Sequence, residues 1–303
     1  MSKIINAYLQ SLRQELKGSD PALIQDALSD AQEHLRNALD EAQSLDSEIN
    51  EEKMLHAIID KYGSAEEVAK AYKRMDIITP AGWLGRRPPE HRSLWLKFFG
   101  IFGDIRAWGA FLYILLSGLT SFIYGLWAIV GGALSFLSLI FIIGIPVTGL
   151  FLLSLRGIGL IEGRITEALL GVRMPRRPVF MEPNLNWRQK YKALVTESYT
   201  WRIFTYLIIH FPLGLIFFFV SLFLFSLSVK TIFYPVWFWL LDRPLLTLGQ
   251  PLFPPVWSFP LIVAGGILLL LLTLYLSRIA GLLCGRFAKA MLVRKNAAVI
   301  SGE

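Results

Sequence analysis

Asp26, Asp30, Glu33 and His34 stand at i, i+4 and i, i+3 intervals, which brings three carboxylates and an imidazole near one face of a helix. Such a cluster has the chemistry to bind a cation or relay a proton. The plainer reading is a solvated acidic face with one histidine packed on a neighbouring helix, because a metal site usually draws on two separated ligand pairs. His56 and His91 have no partner at ligand spacing. The single cysteine, Cys284, excludes an intramolecular disulfide and any CxxC metal site. No nucleophile elbow, zinc signature or dinucleotide-binding fingerprint is present, so no enzymatic activity, metal or cofactor is expected.

A second group lies in apolar sequence. His210 precedes Pro212 by two residues within a hydrophobic run. An ionisable residue inside a membrane span is a functional candidate by default, although a hydrogen bond between spans explains it too. Downstream, "FYPVWFWLLDRPLLTLGQPLFPPVW" carries Tyr234, Trp237 and Trp239 close together. A stretch so apolar belongs in the membrane interface, where it either anchors the protein as an aromatic belt or caps an apolar cleft. In the second case Tyr206 and His210 lie beneath it, and the five residues form a ligand site for a lipid or an amphiphilic compound.

The third group is written twice. "RGIGLIEGRITEALL" (Arg156 to Leu170) and "RIAGLLCGRFAKAML" (Arg278 to Leu292) share Arg156, Gly159, Gly163 and Arg164 with Arg278, Gly281, Gly285 and Arg286 at identical offsets. The glycine pairs have the small-xxx-small spacing that admits close helix packing. The arginine pairs, eight residues apart, share one helical face and suit lipid phosphates or the preceding helix ends.

These groups require elements to hold them. With 54% hydrophobic and 17% charged residues, the 303-residue chain is more apolar than an ordinary globular domain. Four windows reach the length that crosses a bilayer: Trp108 to Ile129, Ala133 to Leu155, Ile203 to Leu227 and Trp257 to Ser277. Gly131 and Gly132 are read as the break between the first two, which makes them a tight hairpin. Lys and Arg number 5 in 77–106, 9 in 156–202 and 5 from 278 onward, against 2 in 228–256. Both termini and the middle loop are therefore expected in the cytoplasm, with 228–256 outside. Nucleic-acid binding by "RRPPEHR" and "RMPRR" is not expected, since both abut spans and fit the same rule.

The duplication then organises the membrane part. "IFGDIRAWGAFLY" overlies "LVTESYTWRIFTY" at an offset of 93, and the arginine phrases recur at 122, so the second copy holds 29 extra residues in its external segment. The expected fold is all-α and polytopic: a small cytoplasmic helical domain, then four transmembrane helices as two parallel hairpin repeats. The boundaries are 1–76 for the head, 77–95 for a Pro/Arg-rich linker and 96–303 for the membrane domain, with repeat one at 96–171 and repeat two at 187–293.

The head carries 9 Lys/Arg and 15 Asp/Glu in residues 1–76, whereas 77–303 carry 21 and 8. An acidic head on a basic body predicts salt-sensitive docking of 1–76 on the 156–202 loop. Helices are expected from about Lys3 to Leu16, Pro21 to Ala42, Glu51 to Tyr62 and Ser64 to Met75. Asp20 and Pro21 supply an N-cap and first-turn proline, and Ser64 with Glu67 a capping box. The opening "MSKIINAYLQSLRQELKG" is an amphipathic helix, so no cleaved signal peptide is expected.

"YLQSLRQEL", "DALSDAQEHL" and "YGSAEEVAKAY" resemble the HAAS signalling-associated domain, a cytoplasmic helical module of bacterial membrane proteins. The remainder, with "WRIFTYL", "PLG" and the paired arginine phrases, is similar to the four-span sensor domain often joined to bacterial histidine kinases. The resemblance implies a non-enzymatic sensory or regulatory protein of the bacterial cytoplasmic membrane. HAAS proteins are often encoded beside PadR-like transcriptional regulators, so such a regulator or another cytoplasmic signalling protein is the implied partner, beside membrane lipids. A homo-oligomer is compatible with it. No transmitter domain is expected, so output is expected through the head or a separate partner. The other class open to the sequence is a small transporter or lipid-handling protein, for which a hydrated file of polar residues would be expected through the spans.

Overall fold

The computed structural model describes residues 3–45, 51–78, 99–141, 144–176, 187–241, 244, 246–248 and 250–293. The head is built from α1 (Lys3–Glu15), α2 (Pro21–Leu45), α3 (Glu51–Tyr62) and α4 (Ala65–Ile78). On α1 Ile5, Tyr8, Leu9 and Leu12 form a buried stripe at helical spacing, and it meets Ala27, Leu28, Ala31, Leu35 and Leu39 of α2 in one core with Leu55 and Ala69. Full burial of each leucine contributes about 2 kcal/mol. Gly18 and Gly63 take the left-handed φ values of 88° and 110° that end α1 and α3. Ser64 and Glu67 exchange the two bonds of a capping box: the Glu67 N–H donates to Ser64 Oγ at 3.3 Å and the Ser64 N–H to Glu67 Oε2 at 3.0 Å. The Ser64 N–H, with the Ser64 hydroxyl that donates to the same oxygen at 2.9 Å, holds the Glu67 carboxyl below its ordinary pKa.

Four further helices are long and apolar enough to cross a membrane: α5 (Ile105–Ser138), α6 (Gly144–Leu170), α8 (Ser198–Ile232) and α10 (Phe259–Leu292). Between them lie α7 (Trp187–Thr196), α9 (Tyr234–Leu241) and a small antiparallel ribbon of β1 (Leu246–Leu248) and β2 (Gln250–Leu252). The chain divides into two compact parts, Met1–Arg86 with Leu152–Ile203 and Ala288–Glu303, and Arg87–Phe151 with Phe204–Phe287. The expected linker at 77–95 lies almost wholly outside the described residues.

Two expectations are corrected. The first hairpin does not turn at Gly131 and Gly132, because α5 runs through both to Ser138. Gly131 instead makes room for a ring: a Cβ there would meet Phe151 Cε2 at 2.6 Å. The next helix begins at Gly144, and Pro146 sits in its first turn, where a missing N–H costs no helical bond.

The second correction concerns direction. Along α5 and α8, Phe111 meets Phe225 with ring centroids 4.9 Å apart, and a Cβ on Gly118 or Gly125 would lie 2.5 Å from Cβ of Phe218 or Phe211. Gly132 faces Phe204 in the same series. Numbers that rise along α5 fall along α8, so the two helices are antiparallel where they touch. The first helices of the two copies therefore do not run side by side in one direction as parallel repeats would. Charge counts in loops carry no information about which helix faces pair, whereas a groove of glycines seven residues apart admits a ridge of phenylalanines seven apart.

Candidate functional site: the junction of head and span ends

Asp20 caps α2, accepting the Ala22 N–H at 2.9 Å through Oδ1. Its other oxygen pairs with Lys289 in the last turn of α10. Two turns along α2, buried Asp26 accepts the main-chain N–H of Arg176 at 2.7 Å through Oδ1. The carboxylates come from the start of a head helix, and their partners from the segment after α6 and from the end of α10. Asp26 thus meets the 156–202 loop through a main-chain N–H, while the ion pair of Asp20 is made outside that loop, with Lys289.

Arg176 is the node of this junction. Its carbonyl accepts from Arg164 Nη2 at 2.5 Å, and its Nε lies 3.9 Å from Glu167 Oε1. Arg164 also donates to Glu167 Oε2 at 3.2 Å. Arg173 sits beside these groups; burial pushes its pKa down, while Asp26 and Asp20 favour its charged form. Met174 is buried, and a Cβ on Gly163 would lie 3.7 Å from Met174 Cβ, so that glycine faces the returning loop. A Cβ on Gly159 would lie 3.2 Å from Ile203 Cγ2 of α8.

Of the four arginines expected at lipid phosphates or the preceding helix ends, Arg156, Arg164 and Arg278 have protein partners. Arg156 is buried, donates to Glu197 Oε2 at 2.5 Å and to Thr200 Oγ1 at 2.7 Å, and lies 6.0 Å from the Tyr199 ring centre. Arg164 is held in the junction just described. Arg278 pairs with Asp104 Oδ2 at 3.2 Å. Asp104 and Glu197 hold equivalent places immediately before α5 and α8, as Arg156 and Arg278 do on α6 and α10. Each arginine thereby holds the acid of the other copy. Arg286 is exposed, and Gly281 and Gly285 are buried. Equivalent tryptophans also do equivalent work: Trp108 Nε1 donates to the Phe102 carbonyl at 2.9 Å and Trp201 Nε1 to that of Val195 at 2.7 Å.

The five residues expected around one ligand are not brought together. Tyr206 stacks on His210 at 5.1 Å and meets Phe287 in a tilted contact at 5.3 Å, and both Tyr206 and His210 are buried. Tyr234 packs on Phe259 at 5.4 Å beyond the other end of α8. From His210 to Ile232 the helix rises about 33 Å, so no cap at Tyr234 can cover the histidine. Trp237 and Trp239 point outward, with 40% and 73% of their surface exposed, as anchoring aromatics do. The acidic face of α2 is also divided. Asp26 goes to Arg176, Asp30 accepts from the Tyr72 hydroxyl at 2.6 Å, and His34 stacks on Tyr62 at 4.6 Å, while Glu33 is exposed.

Residues 113–292 match the family described as "Putative sensor", and residues 7–71 match the HAAS module. No curated protein and no solved structure matches the chain.

Proposed function

The chain belongs to this sensor family, carries a HAAS module and is a multi-pass membrane protein; we propose that it is a non-enzymatic regulator that couples a membrane or envelope signal to a cytoplasmic partner. The signal arrives in the bilayer or at its outer face and changes the helix ends that hold the head. The head passes it to a PadR-like transcriptional regulator or another signalling protein in the bacterial cytoplasm. One observation carries this reading: Asp20 and Asp26 grip Lys289 and Arg176, so a single head helix is held by residues following or ending two different apolar helices. A shift of either end disturbs the seat of α2.

The transporter reading has less support. Ser117, Ser121 and Thr273, all buried in the apolar helices, donate to carbonyls of their own helices at Ile114, Gly118 and Leu269. Hydroxyls engaged in this way are common helix features and do not make a hydrated file.

The test uses the full chain, co-expressed with a PadR-like regulator in a bacterial host, with a photoreactive residue at exposed Glu33 or Glu41. Adding a membrane-active amphiphile is expected to change the yield of the cross-linked regulator. The Asp20→Asn/Asp26→Asn variant, whose head is released, should give the changed yield without amphiphile. Absence of cross-linking in parent and variant alike, with the protein correctly inserted, would sink the coupling.

A further inference from the structure

Two basic side chains, Arg173 and Lys289, and the main-chain N–H of Arg176 surround the two head carboxylates; the Arg176 side chain reaches Glu167, and Arg164 fixes the Arg176 backbone from the side. With Asp20 and Asp26 in place the charges are close to balanced. Remove the head, and four cations are left beside the carboxylate of Glu167, which already serves Arg164 and Arg176. Such a surplus seeks an anion. Its place narrows the choice: Arg173 and Arg176 follow the apolar α6 within six residues of Leu170, and Lys289 is in the last turn of the apolar α10. These are span ends, where phospholipid headgroups lie.

We propose that the cradle of Arg164, Arg173, Arg176 and Lys289 is a binding site for the phosphate of an anionic phospholipid, and that Asp20 and Asp26 occupy it as an internal substitute. Head and headgroup then compete for one site. A bidentate guanidinium suits phosphate at least as well as a lone carboxylate oxygen, and the ammonium of Lys289 serves either. The bond from the Arg176 N–H to Asp26 is equally open to a phosphate oxygen. Anionic lipid density at the inner surface therefore sets how often the head is free, an electrostatic switch built from the chain's own acidic helix start. This deepens the regulatory role proposed above. Its experiment contains no regulator, so its failure leaves the regulator coupling to be judged separately.

Full-length protein is placed in nanodiscs of phosphatidylcholine alone or of phosphatidylcholine with phosphatidylglycerol, and hydrogen exchange is followed across Gly171 to Arg176. Displacement of Asp26 by lipid should speed exchange of the segment's other amides by about tenfold in the anionic discs, because the head's packing over the segment is lost, while the Arg176 N–H stays bonded, now to phosphate. Soluble glycerophosphoglycerol or inorganic phosphate added to phosphatidylcholine discs should leave exchange unchanged. An equal effect of the soluble anions would reassign the site to free phosphate and overturn the lipid switch. Native mass spectrometry supplies the second arm: Asp20→Asn/Asp26→Asn should retain more phosphatidylglycerol than the parent, and adding Arg173→Gln/Lys289→Gln should abolish the gain. Equal lipid retention by parent and Asp20→Asn/Asp26→Asn, or exchange indifferent to phosphatidylglycerol, overturns the proposal.

Discussion

Arg156 and Glu197 form an ion pair at 2.5 Å in which the arginine side chain is 7% exposed and the glutamate 22%. Burying such charges costs several kcal/mol before their attraction is counted, and the extra bonds from Arg156 to Thr200 offset part of that cost. Removing one partner leaves the other charge without compensation. Arg156→Met is therefore expected to destabilise the protein by about 3 to 5 kcal/mol. Arg156→Glu/Glu197→Arg should recover part of the loss relative to Arg156→Glu alone. Thermal unfolding in nanodiscs reads both, and a double variant no better than Arg156→Glu would show that the pair is not the source of the effect.

The seam between α5 and α8 makes a directional prediction. Phe111 touches Phe225, whereas the parallel arrangement would have set Phe111 beside its equivalent, Phe204. In a Cys284→Ser background, Phe111→Cys/Phe225→Cys should be joined by a short bifunctional thiol reagent, and Phe111→Cys/Phe204→Cys should not. Cross-linking of the second pair in preference to the first would restore the parallel repeats.

Within the head, the Tyr8 hydroxyl donates to the Gly63 carbonyl at 2.9 Å, and burial, with smaller contributions from Tyr62 and Glu67, pushes its pKa up to about 12. A folded-state pKa above the unfolded one means that the neutral phenol stabilises the fold. That stability is fully present below the ordinary tyrosine value of about 10 and is lost as pH rises through about 12. Tyr8→Phe should lower the stability of the head at neutral pH by about 1 kcal/mol, for the lost hydrogen bond, and flatten its alkaline decline. Circular dichroism of parent and variant between these pH values checks the slope; identical slopes would remove Tyr8 as the cause.

How much of the molecule is legible in its sequence depends on the range of each interaction. The head reads closely because its signals are local: Asp20 before Pro21, Ser64 three residues before Glu67, and leucines at helical spacing. The apolar helices follow from length and hydropathy. What stays hidden depends on distant partners. Gly131 reads as a break because Phe151, which fills the space above it, comes twenty residues later. The seam does leave a trace, since Gly118, Gly125 and Gly132 recur every seven residues, as do Phe204, Phe211, Phe218 and Phe225. A heptad stripe is visible in one helix only when its complement in another is sought. Similarly, Arg156 suits lipid on sequence alone because nothing nearby in the chain announces that Glu197 lies within reach.

Orientation is predicted from the junction and the charge count together. Asp20 and Asp26 place the head beside the segment after α6 and the end of α10. The loops there are rich in Lys and Arg, with 9 in 156–202 against 2 in 228–256. Positive charge near span ends is retained in the cytoplasm, so the head is expected at the inner face and the segment with α9 and the ribbon outside. The antiparallel seam, by contrast, sets the start of α5 level with the end of α8 and departs from the cytoplasmic start that the charge count gives it. The aromatic exposure of Trp237 and Trp239 suits the outer interface of that arrangement. In a Cys284→Ser background, Pro244→Cys or Pro254→Cys should react with an impermeant thiol reagent in intact cells, and Thr196→Cys only after permeabilisation. Labelling of Thr196→Cys in intact cells, with Pro244→Cys protected, would invert the protein in the membrane and place the head, with its proposed lipid switch, outside.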